Sequence, residues 1–109
     1  EHVVVRGVFP FAEHAFDTVF VLFAAHELRR ASSRETFFGE IHRVLAPGGS
    51  LLLVEHLRDL ANFTAFGPGF FHFQSDYEWR RLARCSGLKM VNARGMTPFV
   101  KIYLLRKTP

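Results

Sequence analysis

Two pairs of ionisable residues follow the two most apolar segments of the chain. His26 and Glu27 come directly after an apolar run that ends at Ala25, and Glu55 and His56 close the next such run. Histidine titrates near neutral pH and is suited to accept a proton, and a positioned carboxylate can do the same. The sequence therefore predicts a proton-transfer site with His26, Glu27 and His56 as candidate catalytic residues and Glu55 as a candidate substrate-binding residue.

The chain offers no local motif for a metal ion. His26, His42, His56 and His72 are spread evenly along the sequence, and none forms a short H-x-x-x-H pair. Cys85 is the only cysteine, so a thiolate zinc site and an internal disulfide are both excluded. We expect no metal, and the cysteine content makes a reducing cytoplasm the default location.

Strands must bring the two ionisable pairs together. Residues 17–25 are nearly continuous apolar sequence, which is typical of a central strand buried on both faces, and residues 50–55 form a second such strand. Val3 to Val5 is a weaker, short β-branched run. If the two long strands are parallel neighbours, roughly 5 Å apart, their carboxyl ends place both pairs at one edge of the sheet.

Two helices are marked by capping boxes. Residues 32–35 and 75–78 both read Ser-x-x-Glu, in which the serine hydroxyl accepts from the glutamate backbone N–H. Pro47-Gly48-Gly49 ends the first helix and Gly87 ends the second, on which Trp79 is expected in the core. The apolar stripe of the first helix is predicted to comprise Phe37, Phe38, Ile41, Val44 and Leu45.

The last third of the chain predicts a hairpin. Residues 88–93 and 99–106 are probable strands, and the few residues between them suit an antiparallel turn rather than a crossover. Strand–helix–strand units of this size predict an α/β layered sheet with right-handed crossovers. With no internal repeat and no linker, residues 1–109 are predicted to form a single domain.

Composition excludes several classes of protein. The 109 residues are 49% hydrophobic and 22% charged, as in a globular domain rather than a disordered chain. No apolar run is long enough to cross a bilayer, and no signal peptide is visible. Residues 79–109 carry eight Lys or Arg and no acid. This basic segment suits either an anionic partner or ordinary solvated faces whose countercharge lies elsewhere; without a nucleic-acid motif, we expect no nucleic-acid binding.

Two sequence blocks resemble a known family. The first is Phe9–Asp17, followed by the apolar strand and Phe23–Leu28, and the second is Phe38–Gly49, followed by Leu51–Glu55. In this order and separation they resemble the carboxyl-terminal half of class I S-adenosylmethionine-dependent methyltransferases of the small-molecule type. The resemblance implies part of a Rossmann-like methyltransferase sheet, mostly parallel, with a closing antiparallel hairpin and helices on both faces.

The resemblance also implies a cofactor and the residues that meet it. S-adenosylmethionine would be the methyl donor, with His26 near its methionine end. The residues expected on the cofactor side are Arg6, Gly7, Phe23 and Ala24.

An aromatic-rich stretch, residues 63–73, permits two interpretations. It is either a hydrophobic lid over the acceptor, with Phe66, Phe70 and His72 binding substrate, or a long loop that packs its own aromatics. The first interpretation implies a small, apolar or aromatic acceptor.

Two parts of the family pattern are missing. No G-x-G-x-x-G turn precedes a strand, and residues 5–8 hold no acid for the adenine. The chain also opens on Glu1 rather than methionine. We therefore expect a fragment that lacks the donor-binding half, is inactive alone, and self-associates or pairs with that half through the exposed edge at 17–25. The alternative is a non-catalytic interaction module that uses the same edge.

Overall fold

The computed structural model describes residues 9–23, 28, 30–56, 64, 75–97 and 99–109. Two helices and four strands lie within them, and neither helix is long and apolar enough to cross a membrane. The elements are β1 (Phe16–Leu22), α1 (Ala31–Val44), β2 (Leu45–His56), α2 (Asp76–Ser86), β3 (Leu88–Thr97) and β4 (Val100–Lys107).

The four strands form one sheet in the order β1-β2-β4-β3. The β1–β2 pair is parallel, with Leu22 opposite Val54, and α1 makes the crossover between the two strands. The β2–β4 and β4–β3 pairs are antiparallel. The predicted hairpin is therefore confirmed, and β4 inserts between the two strands that precede it in the chain.

The core lies between the sheet and the two helices. Phe38 and Ile41 of α1 and Trp79 of α2 are fully buried against apolar side chains of all four strands. The rings of Phe38 and Trp79 stack with centroids 6.1 Å apart, so the helices also pack on one another. At the start of both helices, the Arg34 guanidinium approaches the Glu78 carboxylate to 2.7 Å. Both described helices thus lie on one face of the sheet, and the prediction of Trp79 in the core is confirmed.

The two predicted capping boxes have different outcomes. Ser75 is the N-cap of α2, where its hydroxyl accepts from the Glu78 backbone N–H at 3.2 Å, and Gly87 ends that helix with φ 81°. The box at Ser32 is wrong: α1 already begins at Ala31, and its N-cap residue Arg30 makes no side-chain cap. The helix starts earlier because the Arg34 backbone N–H bonds to the Arg30 carbonyl.

The end of α1 is capped from the last strand. Lys107 is buried, and its ammonium donates to the carbonyls of His42 at 2.8 Å and Leu45 at 3.0 Å. These are carbonyls that a helix end leaves without an intrahelical partner. The strand β2 begins directly at Leu45 and runs through Pro47, Gly48 and Gly49, where Gly48 has φ 79°. The Pro-Gly-Gly segment is therefore the first part of the strand rather than a separate helix stop.

The α/β class is confirmed, with differences in detail. The described sheet has one parallel and two antiparallel pairings. The prediction that the first long strand is buried on both faces is wrong for β1: Val21 is buried, but Phe20 and Leu22 are 63% and 57% exposed. The reason is that β1 is an edge strand of the described sheet and both described helices cover its other face. The predicted strand at residues 3–5 lies outside the described residues.

Candidate functional site

The carboxyl ends of β1 and β2 lie side by side, as the sequence predicts. The Phe23 backbone N–H donates to the Val54 carbonyl at 2.8 Å and so extends the parallel ladder by one residue. Phe23 then turns the chain with φ 55°, in the left-handed region that a bulky residue rarely adopts. Strained backbone of this kind clusters at functional sites. The Phe23 ring is 41% exposed at this edge.

His56 closes β2 at the same edge and is held from two sides. Its ring lies 5.0 Å from the Phe23 ring, centroid to centroid, with the planes tilted by 31°. Its Nδ1 atom lies 3.0 Å from the Phe99 carbonyl oxygen. A carbonyl oxygen only accepts, so Nδ1 carries the proton and the neutral ring has its basic lone pair on Nε2. The contact fixes both the tautomer and the orientation of the ring.

Glu55, the neighbour of His56, points to the other face of the sheet. Successive side chains of a strand alternate, and Glu55 lies with Leu51 and Leu53 on the helix side, fully buried. It stands opposite Lys101 in the β2–β4 register. Glu55 and His56 therefore do not act from one surface.

A polar cluster surrounds Asp76 at the start of α2, next to the strand position of Glu55. The Asp76 carboxylate accepts from the Tyr103 hydroxyl at 2.6 Å, Arg80 Nε at 2.8 Å and Lys101 Nζ at 3.0 Å. Burial alone would raise the pKa of Asp76, but these hydrogen bonds outweigh it and lower the pKa to about 2. The cluster ties α2 to β4 beneath the carboxyl edge of the sheet.

Only part of the predicted site lies in the described residues. Among the candidates, Phe23 and His56 are brought together at the carboxyl edge, and Glu55 is placed behind it. Those that lie outside the described residues are Arg6, Gly7, Ala24, His26, Glu27, Phe66, Phe70 and His72. Within the described ranges, no group of three His, Cys, Asp or Glu side chains could hold a metal ion.

One contributor to the site was missed from the sequence. Phe99 supplies the carbonyl that orients His56, and its own backbone N–H donates to Thr97 Oγ1 at 3.1 Å in the β3–β4 turn. Because Phe99 acts through its backbone carbonyl, its residue type could not have predicted this role. The only available signal is that an antiparallel hairpin beside β2 returns to the same edge of the sheet.

Comparison with solved structures identifies the class to which this fold belongs. An S-adenosylmethionine-dependent methyltransferase of Methanosarcina mazei superposes with a TM-score of 0.75 at 16% identity, covering 92% of this chain and 63% of that one. An S-adenosylmethionine-dependent methyltransferase of Aquifex aeolicus superposes with a TM-score of 0.76 at 19% identity, covering 91% of this chain and 50% of that one. The 1,6-didemethyltoxoflavin-N1-methyltransferase of Burkholderia thailandensis, solved with 1,6-didemethyltoxoflavin and S-adenosylhomocysteine, gives 0.71 at 18% identity, covering 91% and 47%. The fold is that of class I S-adenosylmethionine-dependent methyltransferases.

The family comparison agrees with the fold. Residues 3–53, a little under half of the chain, match the family model described as methyltransferase domain. No curated protein matches the sequence. The fold and this partial family match both agree with the resemblance to class I S-adenosylmethionine-dependent methyltransferases. The chain spans between about half and two thirds of the length of the three solved methyltransferases.

The described residues include little of the predicted cofactor side. Phe23 is the single predicted cofactor-side residue among them, and it offers an exposed ring and a turned backbone. None of the glycines of the sequence forms the G-x-G-x-x-G turn that lets a backbone approach such a ligand. Among the described residues, only Phe23 represents the predicted cofactor side, and its role there stays a prediction.

Proposed function

We propose that this chain supplies the acceptor side of an S-adenosylmethionine-dependent methyltransferase site, and that it is inactive until a glycine-rich donor-binding half completes that site. The observation that carries the proposal is the hydrogen bond that holds His56 at the carboxyl edge of a methyltransferase sheet. In open α/β sheets, ligands bind beyond the carboxyl ends of the strands.

His56 is proposed as the proton acceptor. When bound, the sulfonium donor supplies an electrophilic methyl group. The acceptor, an O–H, N–H or S–H group, loses its proton to His56 Nε2, and the imidazolium later returns that proton to water. The Nδ1–H bond to the Phe99 carbonyl remains in place throughout and stabilises the charged ring. His26 and Glu27, which lie outside the described residues, remain further candidates for this role.

A small aromatic or apolar acceptor is supported by what surrounds His56. Among the described residues, the 41% exposed Phe23 lies ring to ring with His56, and Phe99, whose carbonyl contacts His56, is 38% exposed. An aromatic acceptor can stack on such rings, which adds about 0.5–1.5 kcal/mol to area burial. Phe66, Phe70 and His72 remain candidate acceptor-binding residues from the sequence and lie outside the described residues.

The proposal is tested by replacing His56 with asparagine in the full-length gene product. Asparagine keeps an N–H for the Phe99 carbonyl but has no basic nitrogen, so the methylation rate should fall about 100-fold, as for loss of a general base. The rate is measured with tritiated donor and a panel of naphthols, thiophenols and anilines. The matched control is His42→Asn in α1, which should methylate normally. An unchanged rate for His56→Asn, or equal losses in the two variants, would refute the role of His56.

Dependence on a donor-binding half has its own test. Calorimetric titration of S-adenosylmethionine into the isolated 109-residue chain should show no micromolar binding. The same donor should bind once a glycine-rich half is supplied. Micromolar binding to the isolated chain would overturn this part of the proposal without bearing on His56.

A non-catalytic pairing module is the second candidate function. It is favoured by the position of β1 at the edge of the described sheet, since edge strands are the positions at which a further strand can pair. The test is light scattering at increasing protein concentration. Pairing through this edge predicts that the average molecular mass rises with concentration, and a constant monomer mass would contradict it.

A further inference from the structure

The Phe99 carbonyl that holds His56 lies in the turn between β3, which ends at Thr97, and β4, which begins at Val100. Thr97 and Val100 pair across this hairpin, and Val100 is also opposite His56 in the β2–β4 register. The turn therefore stands directly beside the end of β2. Thr97 and Phe99 are both exposed, so neither side chain is anchored in the core. The direction of the Phe99 carbonyl thus depends on the hydrogen bonds of the turn.

The Thr97 side chain makes one of these hydrogen bonds. Its hydroxyl oxygen accepts from the Phe99 backbone N–H at 3.1 Å. Pro98 follows Thr97 in the sequence and has no N–H, so the Phe99 N–H is the first backbone donor beyond Thr97. A residue before proline also favours extended backbone, which suits Thr97 as the last residue of β3. Threonine and serine hydroxyls form such bonds in turns, so the local sequence favours this contact.

Two hydrogen bonds thus act in series through Phe99. Its N–H donates to Thr97 Oγ1, and its carbonyl accepts from His56 Nδ1 at 3.0 Å. The N–H and the carbonyl of one residue are joined through a single Cα with only φ and ψ free to rotate. A rotation that breaks the first bond therefore also turns the carbonyl, and the His56 tautomer depends on that carbonyl.

We propose that Thr97 is a positioning residue for methyl transfer, whose hydroxyl holds the Phe99 carbonyl where it keeps His56 in the Nδ1–H tautomer. The inference rests on the proposed function of His56 and adds a residue that acts on the reaction through it. A threonine that only closed the hairpin would contribute to stability and leave the tautomer unchanged. Valine keeps the branched shape of threonine without the hydroxyl, whereas serine keeps the hydroxyl, so the two substitutions separate shape from hydrogen bonding.

The first test reads the tautomer and requires no activity. The ¹⁵N chemical shifts of the His56 ring are recorded by NMR in the full-length gene product labelled with ¹⁵N-histidine, at an alkaline pH where an ordinary histidine ring is neutral. The His56 signals are those that His56→Asn lacks. In Thr97→Val, the ratio of the Nδ1–H to the Nε2–H tautomer should fall about fivefold, the effect of one net hydrogen bond on an equilibrium. Thr97→Ser should keep the parental ratio.

The second test is a double-mutant cycle on the methylation rate. Thr97→Val should lower kcat about fivefold with KM unchanged, because a proton acceptor acts in the transition state rather than in acceptor binding. Thr97→Ser should restore kcat. In the His56→Asn background, Thr97→Val should cause no further loss, because the group through which Thr97 acts is already gone.

The matched control is Thr36→Val in α1. It removes another exposed threonine hydroxyl with a local backbone bond, here to the Ser32 carbonyl at 3.0 Å. Both the His56 tautomer ratio and kcat should equal those of the parent. Circular dichroism confirms that each variant folds.

Three results would overturn the inference. These are a parental tautomer ratio in Thr97→Val, a loss of kcat that is equally large with and without His56, and a failure of Thr97→Ser to restore kcat. Each of them leaves the slow rate expected of His56→Asn untouched and refutes Thr97 alone. A parental rate for His56→Asn would instead refute the proposed function and this inference with it, so the two failures are distinguishable.

Discussion

Replacing Asp76 with asparagine should destabilise the fold by an amount that depends on pH. The fall in the pKa of Asp76 from its ordinary 3.8 to about 2 corresponds to about 2.4 kcal/mol. The carboxylate side chain is 38% exposed, so solvent screening reduces this to about 1 kcal/mol. Because the folded-state pKa is lowered, the stabilisation is complete above pH 3.8 and is lost as the pH falls through about 2.

The assay is urea unfolding of the parent chain and Asp76→Asn between pH 7 and pH 2. The midpoints should differ by about 1 M urea at pH 7, given a slope of about 1 kcal/mol/M, and should converge as the pH falls. Asp17→Asn is the matched control, because Asp17 forms none of the ion pairs among the described residues. Equal effects in the two variants, or a difference for Asp76→Asn that does not change with pH, would refute the reasoning.

Three further predictions follow from the packing. Gly49→Ala should lower the free energy of unfolding by about 1–3 kcal/mol, because the new Cβ would lie 2.8 Å from the Ala46 carbonyl oxygen. Gly39→Ala in α1, whose Cβ would have nothing within 4 Å, should raise it by about 1 kcal/mol. Thermal melts compare the two variants. Trp79→Phe should lower the free energy of unfolding in urea by less than about 1 kcal/mol, because within the described structure the buried indole Nε1 has no hydrogen-bond partner to lose. Trp79→Ala, which removes the whole buried ring, should lower it by about 3–5 kcal/mol. Burial lowers the pKa of His42, so its protonation disfavours the folded state; Tm should fall below about pH 6.5, and less steeply in His42→Gln.

Each of these predictions has a clear contrary result. Equal thermal stability of the two glycine variants would show that the close approach at Gly49 is relieved without cost. A loss for Trp79→Phe as large as for Trp79→Ala would mean that the indole N–H matters to the fold. Parallel Tm curves for the parent and His42→Gln would remove His42 from the acid response.

Local signals in the sequence were reliable only where tertiary contacts did not compete. The Ser75 cap formed because its hydroxyl and the Glu78 N–H need nothing beyond one helical turn. The same motif failed at Ser32, where the neighbouring Arg34 is held by the Leu28 carbonyl at 2.8 Å and by Glu78, 44 residues away. The start of α1 therefore depends on contacts that no local pattern encodes.

The candidate site shows the same division. The position of His56 at the end of a buried strand was predictable from the apolar run before it. Its orientation was not, because it depends on the Phe99 carbonyl, 43 residues later. For β1, the apolar run predicted burial on both faces, but Phe20 is exposed in the structure. An apolar run alone does not determine which elements pack on each face of a strand.

The placement of β4 has a consequence for folding. It follows β2 and β3 in the chain but lies between them in the sheet, and its Lys107 closes the end of α1. During synthesis, β2 and β3 emerge from the ribosome with no partner in common until β4 has followed. β2 can already pair with β1, so the nascent chain must keep the open edge of β2 and the unpaired strand β3 from associating with other chains. Completion of the sheet is a late event set by translation, and a ribosome stalled before Val100 would hold an aggregation-prone intermediate.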